Sequence, residues 1–152
     1  HIHQSWSLEI VGSGEEYELL NLKINKLKLK NVKILPFTKN IEEYYKKASI
    51  YVLSSRYEGF PMVLLEAQSY GVPIVSFDCE TGPREIINNN VDGILVEKNN
   101  VIELANAITY LIKNPKKRDE FSENAIKNSK KFTTDKIIEK WEVIIQNLLE
   151  GE

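Results

Sequence analysis

The sequence predicts an α/β domain in which helices cover a parallel β-sheet. Two observations lead there. Along 152 residues, short apolar runs rich in β-branched side chains alternate with segments whose apolar positions recur every three or four residues. One run, "SIYVLSS", is almost continuously apolar, the pattern of a strand covered on both faces. Strand–helix alternation of this kind implies parallel pairing through right-handed crossovers.

Each element can be justified in order. "WSLEIVG" (6–12) carries Trp6, Leu8, Ile10 and Val11 and stops at Gly12, as a strand would. Tyr17, Leu20, Ile24 and Leu27 then fall on one helical stripe. "VKILPF" predicts a second strand, and "NIEEYYKKA" a short helix capped by Asn40. "SIYVLSS" is the third strand. "FPMVLLEAQSYG" predicts a helix with Pro61 in its first turn and Gly71 at its end. "PIVSFD" and "DGILVE" are two further strands on either side of "GPREIINNN". Val101, Leu104, Ala105, Ile108, Leu111 and Ile112 predict one helical stripe, Pro115 interrupts it, and a polar helix follows. Ile137, Trp141, Ile144 and Leu148 mark a last helix.

The length suits one domain, with no internal repeat and no low-complexity linker. Net charge is −2, which gives no global bias toward nucleic acid or an anionic membrane, and no nucleic-acid partner is expected. Lysine-rich stretches at 26–33 and 127–131 read as solvated faces. The single cysteine, Cys79, excludes an intramolecular disulfide, fits a reducing compartment and reads as a small buried apolar residue. No apolar run approaches the roughly 18 residues that span a bilayer, and no signal peptide is visible. His1 and His3 form only a pair, whereas a metal site needs three or four converging ligands, so no metal is expected.

The most informative stretch is "SSRYEGFPMVLLEAQSYG" (54–71), with Glu58 and Glu66 eight positions apart. The turn follows the carboxyl end of the third strand, where ligands lie in open parallel sheets. The helix that follows points its amino end there, and its first N–H groups attract anions. Gly59 would let a phosphate approach the backbone closely. Glu58 would repel a phosphate, so it is better placed to accept hydrogen bonds from hydroxyls. Glu66, roughly 7 Å along the helix axis, can reach back to the same crevice. Two carboxylates flanking an anion-binding helix end suit a nucleotide sugar, one holding the sugar and the other the ribose diol. On spacing alone, a capping role for Glu58 and an exposed or salt-bridged position for Glu66 remain open.

The stretch "SSRYEGFPMVLLEAQSYGVPIVSFDCETGPREIINNNVDGILVEKNN" closely resembles the donor-binding segment of the family 4 retaining glycosyltransferases, which have the GT-B fold. The serine-ended strand, the E-G-F-P turn, the "LLEA" helix ending in glycine, the "PIV" strand, "G-x-x-E-I-I" and "D-G-x-L-V" come in order and with normal spacing. "WSLEIVGSG", "VKILPFTKNIEEYYKKASIYVLSS" and "NVIELANAITYLIKNP" extend the resemblance to essentially the whole chain. It implies a Rossmann-like three-layer αβα parallel sheet. Glu58 resembles the first glutamate of E-x7-E, which contacts the donor sugar and is the residue nearest to a catalytic role. Gly59, Phe60, Pro61 and Met62 resemble the turn whose backbone meets sugar and phosphates, with Val63 near the diphosphate and ribose. Glu66 resembles the second glutamate, on the ribose hydroxyls. Phe37, Thr38 and Asn40 occupy the loop beside the base. Glu85 matches a glutamate read as capping the next helix.

The resemblance implies transfer of a hexose from a UDP- or GDP-sugar to an acceptor hydroxyl with retention, in polysaccharide or lipopolysaccharide synthesis, without metal or other cofactor. The acceptor glycan or glycolipid would be held by an amino-terminal domain, and the parent enzyme would be cytoplasmic, with peripheral membrane association open. Two departures matter. Pro61 stands where many relatives have glycine and removes one N–H donor. The family's first strand, with G-R and then K-G neutralising the diphosphate, has no counterpart before Trp6. Residues 1–152 are therefore expected to be an incomplete donor-binding domain, inactive alone, lacking that strand–helix unit and the acceptor domain. Arg56 and Arg84, at the crevice, are expected to orient Glu58 or Glu85. A GT-B sugar-nucleotide 2-epimerase would need a histidine in the crevice, and the only histidines are His1 and His3. A flavodoxin-like binding module would need aspartates at the ends of the first strands, which read "IVGSGEE" and "LSSRYEG".

Overall fold

Five strands and seven α-helices follow one another in the expected alternation in a computed structural model, which describes residues 3 and 5–151. His1, half of the histidine pair, lies outside the described residues. Two units are distinguished, residues 1–41 and 42–152.

The first unit holds β1 (Leu8–Val11), α1 (Tyr17–Lys26) and β2 (Val32–Leu35). β1 and β2 pair in parallel from Leu8↔Val32 to Val11↔Leu35. The ladder continues one bond further, because Gly12 N–H donates to the Leu35 carbonyl at 2.9 Å. Asn31 Nδ2 donates to the Trp6 carbonyl at 2.6 Å, which ties the chain before β1 to the turn before β2. α1 packs against β2. No described residue of this unit is fully buried, and Tyr17, Leu20 and Leu27 of the expected stripe are exposed within the chain.

The second unit contains α2 (Glu42–Tyr45), β3 (Tyr51–Leu53), α3 (Met62–Ser69), β4 (Ile74–Asp78), α4 (Pro83–Ile86) and β5 (Gly93–Glu97). It ends with α5 (Val101–Lys113), α6 (Pro115–Ser129), a 3-10 turn (Lys130–Phe132) and α7 (Thr134–Glu150). The three strands lie in the order β3-β4-β5, all parallel, in register from Tyr51↔Ile74 and from Ile74↔Gly93. β4 is central, and Ile74, Val75, Ser76 and Phe77 are all buried, as a strand covered on both faces requires, whereas β3, the strand expected to be so covered, ends the three-stranded order and buries only Leu53. On one face Val75 and Phe77 join Val96, Leu104, Ala107, Leu111 and Phe121 in the main core. α3 and α4 also pack against β4, and α6 packs against both α3 and α5. Leu64 of α3 is fully buried, a contribution of about 1.5–3 kcal/mol.

The stripe of α5 differs in phase from the expected one. Leu104, Ala107 and Leu111 face inward, whereas Val101 and Ala105 are exposed. α5 is capped at both ends. Asn100 Oδ1 accepts from Glu103 N–H at 3.0 Å, and the Arg118 guanidinium donates to the carbonyls of Leu111 and Ile112. α3 ends as its glycine foretells. Gly71 adopts φ +68, its N–H donates to Gln68 O, and the N–H of Val72 donates to Ala67 O, the double bond of a Schellman cap. The expected cap of α2 is not made. The helix begins at Glu42, two residues beyond Asn40, whose own N–H donates to Thr38 Oγ1 at 3.0 Å.

A buried polar knot fixes the segment between α4 and β5. Gln68 of α3 and Asn128 of α6 both donate to the Ile86 carbonyl, at 3.2 and 2.6 Å. Asn88 donates its N–H and its side-chain Nδ2 to the fully buried Asp92 carboxylate. Burial pushes the Asp92 carboxyl up, and the two donations from Asn88 oppose that shift. Cys79 is buried, as expected, and burial raises its thiol.

Candidate functional site

The loops after β3, β4 and β5 leave the same edge of the three-stranded sheet and are stitched together there. Cys79 S–H donates to the Ser55 carbonyl at 2.9 Å. Thr81 Oγ1 donates to the Glu58 carbonyl at 2.5 Å. Lys98, at the end of β5, sets its ammonium 4.1 Å above the Tyr57 ring and 3.8 Å from Glu80. Phe60 packs against Phe132, ring centroids 6.0 Å apart. The turn carrying Glu58 is thus held from three directions by backbone and ring contacts.

Gly82 explains how closely two of these loops meet. A Cβ there would fall 2.5 Å from Pro61 Cδ and 2.9 Å from the Gly59 carbonyl, and φ is +94. The start of α4 therefore touches the Glu58 turn so closely that only a hydrogen fits between them.

Within that frame the Glu58 side chain is half-buried, and among the described residues no hydrogen bond or ion pair engages it. Gly59 is exposed, a Cβ built on it meets nothing within 4 Å, and its φ is not positive. Pro61 is buried and occupies the N-cap position (φ −74, ψ 91), one residue before the helix that was expected to include it. No side chain caps α3, and the N–H groups of Met62 and Val63 have no acceptor among the described residues. Open donors at a helix amino end form a partial positive charge facing this edge.

Glu66 lies on the same helix with its residue exposed, and Tyr45 O–H donates to its Oε2 at 2.9 Å. The Tyr51 phenol is pushed up first by burial and then by the charges of Glu66 and Glu58, so both carboxylates come within electrostatic reach of one side chain. Glu58, Gly59, Phe60 and Pro61 thus form the turn before α3, Met62 and Val63 open the helix, and Glu66 lies one turn into it. Phe37, Thr38 and Asn40 belong to the first unit, where Phe37 is exposed.

Two expectations are corrected. Arg84 pairs with Asp78, Nε to Oδ1 at 2.9 Å and Nη2 to Oδ2 at 2.8 Å, rather than with Glu58 or Glu85. Neighbours at i and i+1 do not face each other on a helix, whereas Asp78 at the end of β4 lies within reach of Arg84. Arg56 is exposed and has no ion pair among the described residues. Glu85 makes no side-chain cap, since the N-cap of α4 is Gly82 and no side chain bonds there. Tyr45, Thr81 and Gly82 were not assigned to the site from the sequence. A tyrosine in an apolar position needs a partner for its hydroxyl, and that rule could have flagged Tyr45.

Among the described residues, no group of three His, Cys, Asp or Glu side chains is arranged to hold a metal ion, and no helix is long and apolar enough to cross a membrane.

Comparison with known proteins places this geometry in context. The family described as Glycosyl transferases group 1 matches residues 1–128. The amylovoran biosynthesis glycosyltransferase AmsD of Erwinia amylovora is 39% identical over 143 residues, covering 93% of this chain and 40% of the relative. The poly(glycerol-phosphate) alpha-glucosyltransferase of Bacillus subtilis is 33% identical over 144 residues, covering 94% of this chain and 21% of the relative. Among solved structures, Anabaena HepE in complex with UDP-glucose superposes with a TM-score of 0.83 at 26% identity, over 93% of this chain and 41% of that one. The chain thus spans at most about two-fifths of the length of these relatives.

Proposed function

The chain belongs to the Glycosyl transferases group 1 family, and from that premise we propose that it is the donor-binding part of a family 4 retaining glycosyltransferase of GT-B fold. In this reading a hexose passes from a UDP- or GDP-sugar to an acceptor hydroxyl with retention, in cell-surface polysaccharide or lipopolysaccharide assembly. The setting is supported by relatives that work on amylovoran and poly(glycerol-phosphate), and the donor class by a similar structure that holds UDP-glucose.

The observation that carries the reading is a carboxylate, Glu58, with no hydrogen-bond or ion-pair partner among the described residues, beside an open glycine turn and the uncapped start of α3. Glu58 would accept hydrogen bonds from the sugar hydroxyls. The backbone of Gly59, Phe60, Pro61 and Met62 would face the sugar and phosphates. The free N–H groups of Met62 and Val63 would meet the diphosphate and stabilise the charge it gains on departure. Glu66 would take the ribose diol, and Phe37, Thr38 and Asn40 the base. Glu58 contributes by positioning and electrostatics, and no nucleophile is assigned. No metal enters this scheme. The acceptor glycan or glycolipid would face the donor from a separate amino-terminal domain. The work would be done in the cytoplasm or at the inner face of the plasma membrane.

The test is nucleotide binding. The chain is expected to bind UDP or GDP in the millimolar to high micromolar range. Charge-assisted hydrogen bonds to a diol are worth about 1.5–3 kcal/mol. Glu66→Gln should therefore weaken binding roughly tenfold or more. Circular dichroism should show the fold unchanged, because the amide is isosteric. Unaltered nucleotide affinity in Glu66→Gln would return Glu66 to an ordinary helix-surface position.

A further inference from the structure

Glu66 is a long side chain on an exposed helix position, and such a carboxylate ordinarily samples several rotamers, each ordering step costing entropy. Here one oxygen is already held. Tyr45 O–H donates to Glu66 Oε2 at 2.9 Å. Tyr45 is itself rigid. It is 5% exposed, its ring stacks on Tyr70 (centroids 5.6 Å, interplanar angle 12°) and leans on Tyr51 (5.8 Å, 41°). Burial first, and then the hydrogen bond to Glu66, raise the Tyr45 phenol, so it stays protonated and remains a donor at every working pH.

A second tyrosine–glutamate bond joins the same two helices in the opposite sense. Tyr70, just past α3, donates to Glu42 Oε2 of α2 at 3.1 Å. The pairs are chemically alike but differ in place. The inner pair ends on the carboxylate assigned to the ribose, and the outer pair ends on a glutamate with no assigned role.

We propose that Tyr45 is a positioning residue. Its hydroxyl pins Oε2 and fixes the carboxylate plane, which leaves the remaining lone pairs of Glu66 aimed to accept both hydroxyls of a ribose diol. This rests on the ribose assignment of Glu66 made above. A vicinal diol needs two acceptor directions in fixed relation, and one donor bond from a clamped ring supplies that relation before the ligand arrives. Tyr45 then contributes to nucleotide affinity only through the diol.

The experiment titrates the 152-residue chain with UDP, GDP and their 2′,3′-dideoxy counterparts, by NMR or calorimetry, in wild type, Tyr45→Phe, Tyr70→Phe and Glu66→Gln. Tyr45→Phe should bind the ribonucleotide about three- to tenfold more weakly. It should bind the dideoxy nucleotide as wild type does. Tyr70→Phe, which removes an equivalent hydroxyl from the outer pair, should leave both affinities unchanged. Equal weakening of both nucleotides by Tyr45→Phe would mark a packing role and overturn the proposal, as would no effect on either. A loss in Glu66→Gln without one in Tyr45→Phe overturns only the role of Tyr45. No loss in Glu66→Gln, or no binding of either ribonucleotide by wild type, overturns the ribose assignment and this inference with it.

Discussion

Gly59 and Gly82 stand on two turns that touch at the carboxyl edge of the three-stranded sheet, and the protein accounts for only the second. Gly82 sits at φ +94 with Pro61 and the Gly59 carbonyl pressed against the place a Cβ would fill. Gly59 has no positive φ and has open space in the corresponding place. A glycine that the chain needs for its own packing speaks of the fold. Gly59, with open space where a side chain would stand, is not needed for packing, and the proposed donor site gives it another use. The same contrast runs through Glu58, whose carbonyl accepts from Thr81 while its carboxylate has no hydrogen-bond or ion-pair partner among the described residues.

The largest effect is expected at Gly82. Gly82→Ala must adopt a conformation that side-chain-bearing residues avoid and must push Pro61 away, at a combined cost of about 3 kcal/mol. For a chain of this size that lowers the melting temperature by roughly 6–12 °C. Thermal unfolding followed by circular dichroism measures it. A variant that melts within about a degree of wild type would mean that the two turns are not in the contact described.

Next in size is Glu58. Because no described residue bonds or ion-pairs with its carboxylate, Glu58→Ala should melt like wild type, and the Thr81 bond survives because it ends on backbone. Its effect should fall on transfer instead. In an enzyme that joins these residues to an acceptor domain, the loss of a positioning and electrostatic group should lower turnover about a hundredfold or more. Release of UDP or GDP from a panel of donor sugars reads it. The 152-residue chain alone should bind nucleotide and release none from a donor, since transfer needs an acceptor wall facing the donor. Full turnover with Glu58→Ala would remove the sugar-binding role, and transfer by the chain alone would remove the need for the second wall.

The division between fold and site also tracks what the sequence discloses. Element order was legible because strands and helices have different periods, and because Gly71 and Pro115 punctuate the chain as expected. Glu58 and Glu66 could be considered together because one stands in the turn and the other in the helix that follows it. Alanines were the weak point, since Ala105 and Ala107 are equally plausible on a stripe, and it is Ala107 that joins the buried cluster with Phe121 and Val96. Partners brought together by the packing of loops and helices were not legible. Asp78 meets Arg84 across a turn, and Tyr45 reaches Glu66 from another helix 21 residues away. Both depend on how the loops and helices settle against the sheet, which no local pattern records. The role of Gly82 was hidden for the same reason, because what forbids a Cβ there is the ring of Pro61 on a different loop.

The smallest expected effect gives the sharpest form of the comparison, because its sign is opposite in stability and in binding. At Gly59 an alanine finds a permitted φ and no atom within 4 Å. A glycine-to-alanine change at such a position stabilises a protein by about 0.4–1 kcal/mol, mainly by narrowing the unfolded ensemble. Gly59→Ala should therefore melt slightly higher than wild type, where Gly82→Ala melts lower. The added methyl occupies the space through which a diphosphate or sugar would approach the turn, so nucleotide-sugar affinity should fall about three- to tenfold. Calorimetric unfolding and a UDP-sugar and GDP-sugar titration of the same preparation measure the two effects together. Lower stability in Gly59→Ala would show that the turn needs its glycine for itself, and the contrast with Gly82 would disappear. Higher stability with unchanged affinity would show that the open space beside Glu58 is not where the donor lies.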